Sequence, residues 1–282
     1  MNSIPDLDST IARWFEEDIR EGDHTTLSTI PKEAAGQALL HVKQKGILAG
    51  VDVAAQVFRH FDQDMEFRPL IADGSEVAPG DCAFELEGRV HSILQCERLV
   101  LNIMQRMSGI ATTTKRYVKA VEGTGARILD TRKTTPGFRV LEKEAVQLGG
   151  GVNHRFGLFD MIMIKDNHVD YAGGLEAAIR GARNYLKKHS LDLKIEVETR
   201  SLDDVKAVLH LGGIDRIMLD NFSVEQTREA TALIKRRYES ESSGGITLET
   251  IRDYALCGVD YISVGALTHQ VQSLDMSLKS KV

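Results

Sequence analysis

Two groups of positive charge follow apolar stretches of the sequence, at points where buried strands would end. Residues 130–133, Asp-Thr-Arg-Lys, come directly after the apolar pair 128–129, and Lys165 comes directly after the apolar run 161–164. Structural arginines usually lie on exposed helix faces, so Arg132 is unusually placed. Because a partly buried cation needs a partner, and few carboxylates lie beside these residues, we expect the partner to be an anionic ligand. A dicarboxylate, a phosphate or both would fit.

The composition is that of a soluble globular protein, since 42% of its 282 residues are apolar and 27% are charged. A net charge of −6 argues against broad nucleic-acid binding, which usually needs a basic face. No stretch approaches ~18 uninterrupted apolar residues, so we expect no transmembrane helix. The acidic N-terminus has no signal-peptide pattern. The cysteines are isolated and form no C-x-x-C pair, which suits reduced thiols in a cytoplasm.

From residue 126 onward, short apolar runs alternate with helical stretches, which is typical of parallel β-α units buried on both faces. The runs end at polar or glycine positions that are 33, 22, 23 and 22 residues apart, namely Lys165, Glu198, Asp220, Ser243 and Gly265. A (β/α) barrel and an open doubly wound sheet both fit, and both place the active site at the C-terminal strand ends. Residues 238–242 are polar for a barrel interior, so the limits of that strand stay open.

The first part of the chain has a mixed pattern. Predicted strands at 36–50 and 81–88 flank a predicted helix. Ser92 with Gln95 fits a capping box at the start of a further helix. Gly109 predicts a break in that helix and a second helix after it, and we place the domain boundary there.

Carboxylates and glycines stand at the later strand ends. Glu198 and Asp220 could hold Mg²⁺ or a ribose diol, act in acid–base chemistry, or form salt bridges to nearby lysines. Residues 243–245, Ser-Gly-Gly, precede a predicted helix whose first turn includes Thr247 and Glu249. Glycines permit close backbone approach, and a helix N-terminus favours a phosphate. An ordinary loop would also use two glycines.

Two other functions use the same residues. Lys165, at a strand end among other cations, also fits the Schiff-base lysine of a barrel aldolase. The many arginines suit the binding of polyanions better than they suit an aldolase. In an aldolase, the phosphate site would have to bind a sugar phosphate. A non-catalytic anion-binding protein is the third possibility, but it would not need Glu198 and Asp220 beside the basic residues.

Seven segments together carry a resemblance to one enzyme family. They are EDIREGDHTT, NIMQRMSGIATTTKRYV, LDTRKTTPGFR, LGGGVNHRFGLFDMIMIKDNH, IEVET, IMLDNF and SSGGITLETIRDYALCGVDYISVGALTH. From about residue 14 to residue 275 the chain resembles quinolinate phosphoribosyltransferase, the carboxylating nicotinate-nucleotide pyrophosphorylase. Nicotinate phosphoribosyltransferases and a molybdenum-transport-associated protein share parts of these motifs, so a nicotinate-using relative is the alternative.

The resemblance implies a two-domain α/β fold of the type II phosphoribosyltransferase kind. An N-terminal α/β sandwich is expected at 1–109, an incomplete (β/α) barrel of about seven strands at 110–270, and a tail at 271–282 packed on the first domain. The implied reaction joins quinolinate to phosphoribosyl pyrophosphate and gives nicotinate mononucleotide, CO₂ and pyrophosphate, in NAD synthesis. Family members are homodimers, or hexamers of dimers, in which the partner's N-terminal domain completes each active site.

Matching motifs assign the site residues. Quinolinate and phosphates are expected to bind Thr131, Arg132, Lys133, His154, Arg155, Lys165 and, from the neighbouring subunit, Arg106. The 5′-phosphate is expected to bind Ser243, Gly244, Gly245, Val264, Gly265 and Ala266. The expected catalytic residues are Lys133, Lys165, Glu198 and Asp220. The two carboxylates among them are also expected to face the ribose and Mg²⁺. Asn167 and His168 belong to the motif without an assigned role.

Overall fold

The computed structural model describes residues 7–281. The first six residues of the expected domain 1–109, and Val282 of the expected tail, lie outside the described residues. The helices are α1 (Leu7–Asp18), α2 (His24–Thr29), α3 (Val51–Phe61), α4 (Val90–Ala120), α5 (Arg139–Leu148), α6 (Asp166–Ala172), α7 (Leu175–His189), α8 (Leu202–Leu211), α9 (Val224–Ile234), α10 (Ile251–Ala255) and α11 (Ala266–His269). The strands are β1 (Ala35–Val42), β2 (Gly46–Ile47), β3 (Glu66–Pro69), β4 (Glu76–Val77), β5 (Cys82–Arg89), β6 (Arg127–Leu129), β7 (Ile162–Ile164), β8 (Ile195–Thr199), β9 (Arg216–Asp220), β10 (Glu239–Ser243), β11 (Tyr261–Ser263) and β12 (Met276–Ser280).

The described chain divides into two compact units. The first contains the described residues up to Thr113, Pro136–Gly150 and the residues from Gln270 onward. The second contains Thr114–Thr135 and Gly151–His269. The domain bounds inferred from the sequence are kept as predictions. Across residues 7–281, no helix has both the length and the apolar character needed to cross a membrane.

An antiparallel four-stranded sheet, in the order β12-β1-β5-β3, forms the centre of the first unit. Alternate residues of β1 are buried, as the period of two in a half-buried strand requires: Ala38, Leu40 and Val42. Helix α3 buries one apolar face, on which the ring of Phe58 lies 6.2 Å from the ring of Phe84 in β5. The strand predicted at 81–88 and the helix before it are confirmed, whereas the strand predicted at 36–50 divides into β1 and β2, which belong to different sheets.

Helix α4 is continuous, so the predicted break at Gly109 is wrong. A Cβ at Gly109 would collide with the carbonyl oxygen of Gln272, so this glycine permits a close approach of two backbone segments. The capping box expected at Ser92 is also wrong, because the helix begins two residues earlier. Ser92 Oγ instead donates a hydrogen bond to Asp62 Oδ2 at 2.6 Å.

A parallel six-stranded sheet, in the order β6-β11-β10-β9-β8-β7, forms the second unit. Strands β7 to β11 lie side by side in chain order, and β6 pairs with β11 at the far end, as the first and last strands of a barrel do. An isolated parallel bridge joins Val152 to Leu129 and places a short seventh segment beside β6. Within the described residues no pairing joins β7 to β6. The predicted incomplete barrel is confirmed.

Strand β10 is polar in sequence but buried in structure. It lies one residue later than the polar stretch 238–242, and its three central residues are buried. Glu241 at its centre is fully buried, and its Oε2 lies 3.1 Å from Nη1 of Arg216 in β9. A buried carboxylate with a charged partner explains how such a strand fits a barrel interior.

The helix after the two glycines begins later than predicted. Helix α10 starts at Ile251 and is five residues long, so Thr247 and Glu249 lie in the turn before it. The main-chain N–H of Thr247 donates to Thr250 Oγ1 at 3.0 Å, which stabilises this turn in place of a helical turn. The expectation that Thr247 and Glu249 belong to the first turn of the helix is therefore wrong.

Candidate active site

Predicted site residues stand at the C-terminal ends of the parallel strands. Lys165 directly follows β7, Glu198 lies one residue before the end of β8, and Asp220 is the last residue of β9. Ser243 ends β10 and is paired in register with Asp220. Because the strands are parallel, these ends lie along the same edge of the sheet, where barrel enzymes have their active sites.

The loop after β6 carries exposed cations. Arg132 and Lys133 are both exposed, and the Lys133 main-chain N–H donates to Thr131 Oγ1 at 3.1 Å. The argument that Arg132 is a partly buried cation is therefore wrong, because this turn carries its side chain into solvent. A Cβ added to Gly265 would lie 3.0 Å from Lys133 Cδ, so the lysine side chain passes directly over Gly265.

Arg155 is half-buried and lies close to Arg132. Burial of the Arg155 guanidinium lowers its pKa, and the positive charge of Arg132 lowers it further. Arg155 Nη1 donates to the carbonyl oxygen of Met161 at 3.2 Å, which fixes part of its side chain. Two neighbouring guanidinium groups repel each other, so an anion that contacts both is favoured.

Lys165 has a carboxylate partner in the chain. Its Nζ lies 2.5 Å from Glu198 Oε2, with 44% of the lysine side chain and 8% of the glutamate side chain exposed. The expectation that too few carboxylates lie beside these cations is wrong for Lys165, and the alternative of a salt bridge from Glu198 to a nearby lysine is confirmed, because two neighbouring parallel strands bring the two residues together. A Schiff-base lysine must be free to attack a carbonyl, and this ion pair does not support that alternative.

The structure shows a local contact for His168, a residue to which the sequence assigned no role. Its Nδ1 accepts a hydrogen bond from the main-chain N–H of Lys165 at 2.9 Å, at the start of α6. This contact fixes the backbone at the strand end that carries the Lys165 side chain. The role of the Asn167 side chain stays open.

Gly244, the first of the two glycines after β10, packs against Asn221. Gly244 has a left-handed backbone, φ 95°, and a Cβ there would collide with the Asn221 side chain. Asn221 Nδ2 donates to Asp220 Oδ2 at 2.7 Å, and its main-chain N–H donates to the carbonyl of Ser243 at 2.8 Å. Because Gly244 has no side chain, the turn can lie against Asn221, and Asn221 in turn contacts the Asp220 carboxylate. Sequence reasoning missed Asn221, although it directly follows a predicted strand end.

The segment after β11 is anchored to β6. The main-chain N–H of Val264 donates to the carbonyl of Leu129 at 3.0 Å, and α11 begins at Ala266. Helices α10 and α11 are five and four residues long, too short to supply a strong helix dipole. A phosphate at this edge would therefore depend on backbone N–H groups of the turns at Gly244 and Gly265.

Glu198 and Asp220 supply the oxygen atoms that Mg²⁺ prefers. Strands β8 and β9 are adjacent, with Glu198 paired in register with Met218, two residues before Asp220. Lys165 contacts Oε2 of Glu198, and Asn221 contacts Oδ2 of Asp220. Each carboxylate has a second oxygen, so this pair fits a magnesium ion bound together with substrate oxygens.

Four buried charged residues, which we call the interior cluster, lie inside the sheet: His154, Glu196, Arg216 and Glu241. His154 Nε2 lies 3.1 Å from Glu196 Oε2 and 3.3 Å from Glu241 Oε2. Burial, and then the charge of Glu241, raises the pKa of Glu196 to about 7. Sequence reasoning placed His154 in the substrate pocket but missed the other three, whose signal was charge inside otherwise apolar strands.

The geometry of the interior cluster would also permit a metal ion. One ligand atom from each of His154, Glu196 and Glu241 lies within 4.8 Å of the others. However, Arg216 Nη1 already lies 3.1 Å from Glu241 Oε2 and 3.9 Å from Glu196 Oε2. Because Arg216 and the imidazole face both carboxylates, we assign no metal to the cluster.

Arg106 lies on α4 in the first unit and is bound to a buried carboxylate. Its Nε and Nη2 donate to Glu142 Oε1 at 2.9 and 2.7 Å. Glu142 is fully buried, whereas 30% of the Arg106 side chain is exposed. The pair holds the guanidinium in one orientation while leaving part of it open.

Comparison with known proteins gives a consistent family match. The chain matches "Quinolinate phosphoribosyl transferase, N-terminal domain" over residues 23–108 and the corresponding C-terminal domain over residues 110–279. It is 44% identical over 289 residues to the chloroplastic nicotinate-nucleotide pyrophosphorylase (carboxylating) of Arabidopsis thaliana, covering 97% of this chain and 82% of that protein. It is 43% identical over 272 residues to the mitochondrial quinolinate phosphoribosyltransferase (decarboxylating) 2b of Nicotiana tabacum, covering 92% and 77%. The solved nicotinate-nucleotide pyrophosphorylase of Francisella tularensis superposes with a TM-score of 0.92 at 36% identity, covering 99% of this chain and 98% of that one.

Proposed function

Because this chain belongs to the quinolinate phosphoribosyltransferase family, we infer that its strand-end site carries out that family's reaction. The chain transfers a phosphoribosyl group to quinolinate with loss of CO₂, which forms nicotinate mononucleotide for NAD synthesis. The observation that carries the assignment is the charge pattern of the site. Neighbouring guanidinium groups of Arg132 and Arg155 match a dicarboxylate, and the carboxylates of Glu198 and Asp220 match a ribose ring that gains positive charge.

The cations divide between the two substrates. We propose that Arg132 and Arg155 bind the carboxylates of quinolinate, because guanidinium–carboxylate pairs are strong and directional. Lys133, whose side chain passes over Gly265, would contact phosphate oxygens of phosphoribosyl pyrophosphate. The 5′-phosphate would bind the glycine turn that begins at Gly244 and the turn at Gly265 through backbone N–H groups.

The ion pair between Lys165 and Glu198 suggests how the site changes on binding. Lys165 can transfer its ammonium group from Glu198 to an incoming anion, since its side chain is 44% exposed. That exchange would leave the Glu198 carboxylate available to the ribose and to Mg²⁺. In this proposal the ion pair holds the Lys165 ammonium group and the Glu198 carboxylate in position until the substrates bind.

The chemistry follows from where charge develops. As the bond from C1 of the ribose to pyrophosphate breaks, positive charge builds on the sugar, and Glu198 and Asp220 stabilise it. Glu198 and Asp220 would hold Mg²⁺, which would supply positive charge to offset that of the leaving pyrophosphate. The pyridine nitrogen attacks C1, and the resulting pyridinium stabilises the electron pair left on the ring carbon when the adjacent carboxylate departs as CO₂. A proton from water or from a lysine ammonium group then takes the place of the lost carboxylate. We propose that Lys133 or Lys165 assists the departure of CO₂.

A shared active site is part of the proposal. We propose a homodimer, or a hexamer built from dimers, in which Arg106 reaches the active site of the neighbouring subunit. The contact with Glu142 supports this role, because a preoriented guanidinium loses less freedom when it binds a carboxylate. We propose the cytoplasm as the compartment. This proposal rests on the sequence argument alone, because the relatives named above are chloroplastic and mitochondrial and do not support it.

The direct test of the function is a product assay. Purified protein with quinolinate, phosphoribosyl pyrophosphate and Mg²⁺ is expected to form nicotinate mononucleotide, measured by chromatography. Omission of phosphoribosyl pyrophosphate should leave quinolinate unchanged. Quinolinate that stays unchanged in the complete mixture, with correctly folded protein, would contradict the assignment.

Magnesium dependence tests the role of the paired carboxylates. Removal of divalent ions with EDTA is expected to abolish activity, and excess Mg²⁺ should restore it. Asp220→Ala should lower kcat on the order of a hundredfold while changing quinolinate KM little, because it removes stabilisation of the transition state. Asp203→Ala on α8 is the matched control, since Asp203 is exposed and pairs only with Lys206 among the contacts described. Full turnover in metal-free buffer would contradict the metal role.

A further inference from the structure

The arrangement of charges in the interior cluster points to a role beyond general stabilisation of the barrel. Glu196 and Glu241 come from β8 and β10, and Arg216 comes from β9 between them. Two buried carboxylates need positive or hydrogen-bonding partners. Arg216 supplies one, and the His154 ring supplies the other. Among the described contacts, two further charged residues adjoin His154: the Asp130 carboxylate accepts from its main-chain N–H, and Arg155 contacts the ring through its own main-chain N–H.

The two ring nitrogens of His154 face different partners. Nε2 faces Glu196 and Glu241, at 3.1 and 3.3 Å. Nδ1 accepts a hydrogen bond from the main-chain N–H of Arg155 at 2.7 Å. An acceptor nitrogen carries no proton, so in the neutral ring the proton lies on Nε2, between the carboxylates. A second proton would go to Nδ1 and end the contact with the Arg155 N–H, while Nε2 would stay paired with Glu196 and Glu241.

The same ring links the cluster to both arginine-bearing loops. Its contact with the Arg155 N–H fixes the backbone from which the Arg155 side chain extends. The main-chain N–H of His154 donates to Asp130 Oδ1 at 2.8 Å, and Asp130 is fully buried two residues before Arg132. Both guanidinium groups therefore extend from backbone that the buried groups hold.

We propose that Glu241 is a positioning residue for quinolinate: by pairing with Nε2 of the His154 ring, in either protonation state of that ring, it holds His154 and the adjoining backbone of Arg155, so that Arg155 and Arg132 meet the same dicarboxylate. This inference rests on the proposed function, because it takes quinolinate as the anion that the two arginines bind. It also explains why β10 carries a charged residue, Glu241, at its buried centre rather than at the strand end.

Glu241→Gln removes the charge of Glu241 and keeps its size. Burial lowers the pKa of His154, but the hydrogen bonds and charges of Glu196 and Glu241 outweigh burial and raise it. Loss of one of these charges should therefore lower the pH at which the ring gains its second proton, by about one unit or more. Nitrogen-15 NMR of histidine-labelled protein measures this midpoint, with the His154 signals assigned through a His154→Asn variant.

Steady-state kinetics supply the second readout. In Glu241→Gln the KM for quinolinate should rise about tenfold, because misplaced binding groups lose much of their effect. The KM for phosphoribosyl pyrophosphate should stay within about twofold of the wild-type value. Glu239→Gln is the matched control: Glu239 lies on the same strand and contacts Arg216, but it lies away from His154 and should leave both constants unchanged. Glu241→Asp, which keeps the charge, should recover part of the quinolinate affinity.

Several results would overturn the inference. An unchanged His154 midpoint in Glu241→Gln would show that Glu241 does not act on the ring. Equal increases in both KM values would show a general distortion of β10 instead. Wild-type protein in which the neutral ring carries its proton on Nδ1 would contradict the geometry, and that measurement needs no variant to fold. Failure of the proposed function is a separate outcome, because it appears as wild-type protein that does not use quinolinate.

Discussion

Nicotinate is expected to react with a kcat/KM on the order of a hundredfold or more below that of quinolinate, because it lacks the carboxylate next to the nitrogen. A charge-assisted hydrogen bond contributes about 1.5–3 kcal/mol, and about 1.4 kcal/mol corresponds to a factor of ten. Loss of one carboxylate removes at least one such bond. It also leaves Arg155, which is half-buried beside Arg132, without the anion that separates their charges. Both effects disfavour nicotinate.

Arg132→Ala should reduce this preference as well as weaken binding of quinolinate. The preference is the ratio of the two kcat/KM values, measured with both pyridines under the same conditions. Arg180→Ala on the exposed face of α7 is a suitable control, since Arg180 pairs only with Glu176 among its described contacts. Comparable kcat/KM values for the two pyridines in the wild-type protein would move this chain to the nicotinate-using relatives.

Arg106→Ala and Lys133→Ala are each expected to be nearly inactive when assayed alone, with losses on the order of a thousandfold. Arg106 lies in the first unit and Lys133 in the second, and the proposal places them in one site through two different subunits. When the two variants are unfolded together and refolded, hybrid dimers contain one site with both residues intact. The mixture should then regain up to about a quarter of the wild-type activity, since half of the dimers are hybrids with one working site each.

The control for this experiment is each variant unfolded and refolded alone, which should stay inactive. Hybrid formation is measured independently by placing different affinity tags on the two variants. If hybrids form and activity does not return, Arg106 acts within its own chain. In that case the contact with Glu142 is structural, and the shared-site proposal is wrong.

The sequence predicted those parts of the fold that depend on local periodicity. Apolar runs that end at Lys165 and Asp220 marked strand ends correctly, because a strand buried on both faces must be apolar until it leaves the core. The spacing of the stops then predicted parallel β-α units. The roles of the individual site residues stay predictions, since they depend on substrates.

The errors arose where a distant residue determines the local structure. Gly109 has the residue type of a helix break, but its lack of a side chain serves a contact with Gln272, far along the chain. The carboxylate next to Lys165 in sequence, Asp166, pairs with Arg200, whereas Glu198 contacts Lys165 from the next strand. Glu241 is unfavourable in a buried strand until His154 and Arg216 are placed beside it. Pairings of this kind cannot be read from local sequence.

Quinolinate labelled with carbon-13 in the carboxylate next to the nitrogen provides the most direct test of the central claim, which is phosphoribosyl transfer coupled to loss of that carboxylate. With phosphoribosyl pyrophosphate and Mg²⁺, the account predicts one labelled CO₂ for each nicotinate mononucleotide formed, and no label in the mononucleotide. The two products are measured together, by mass spectrometry of the released gas and of the nucleotide. A mononucleotide that keeps the label, or labelled CO₂ released without a mononucleotide, would contradict it.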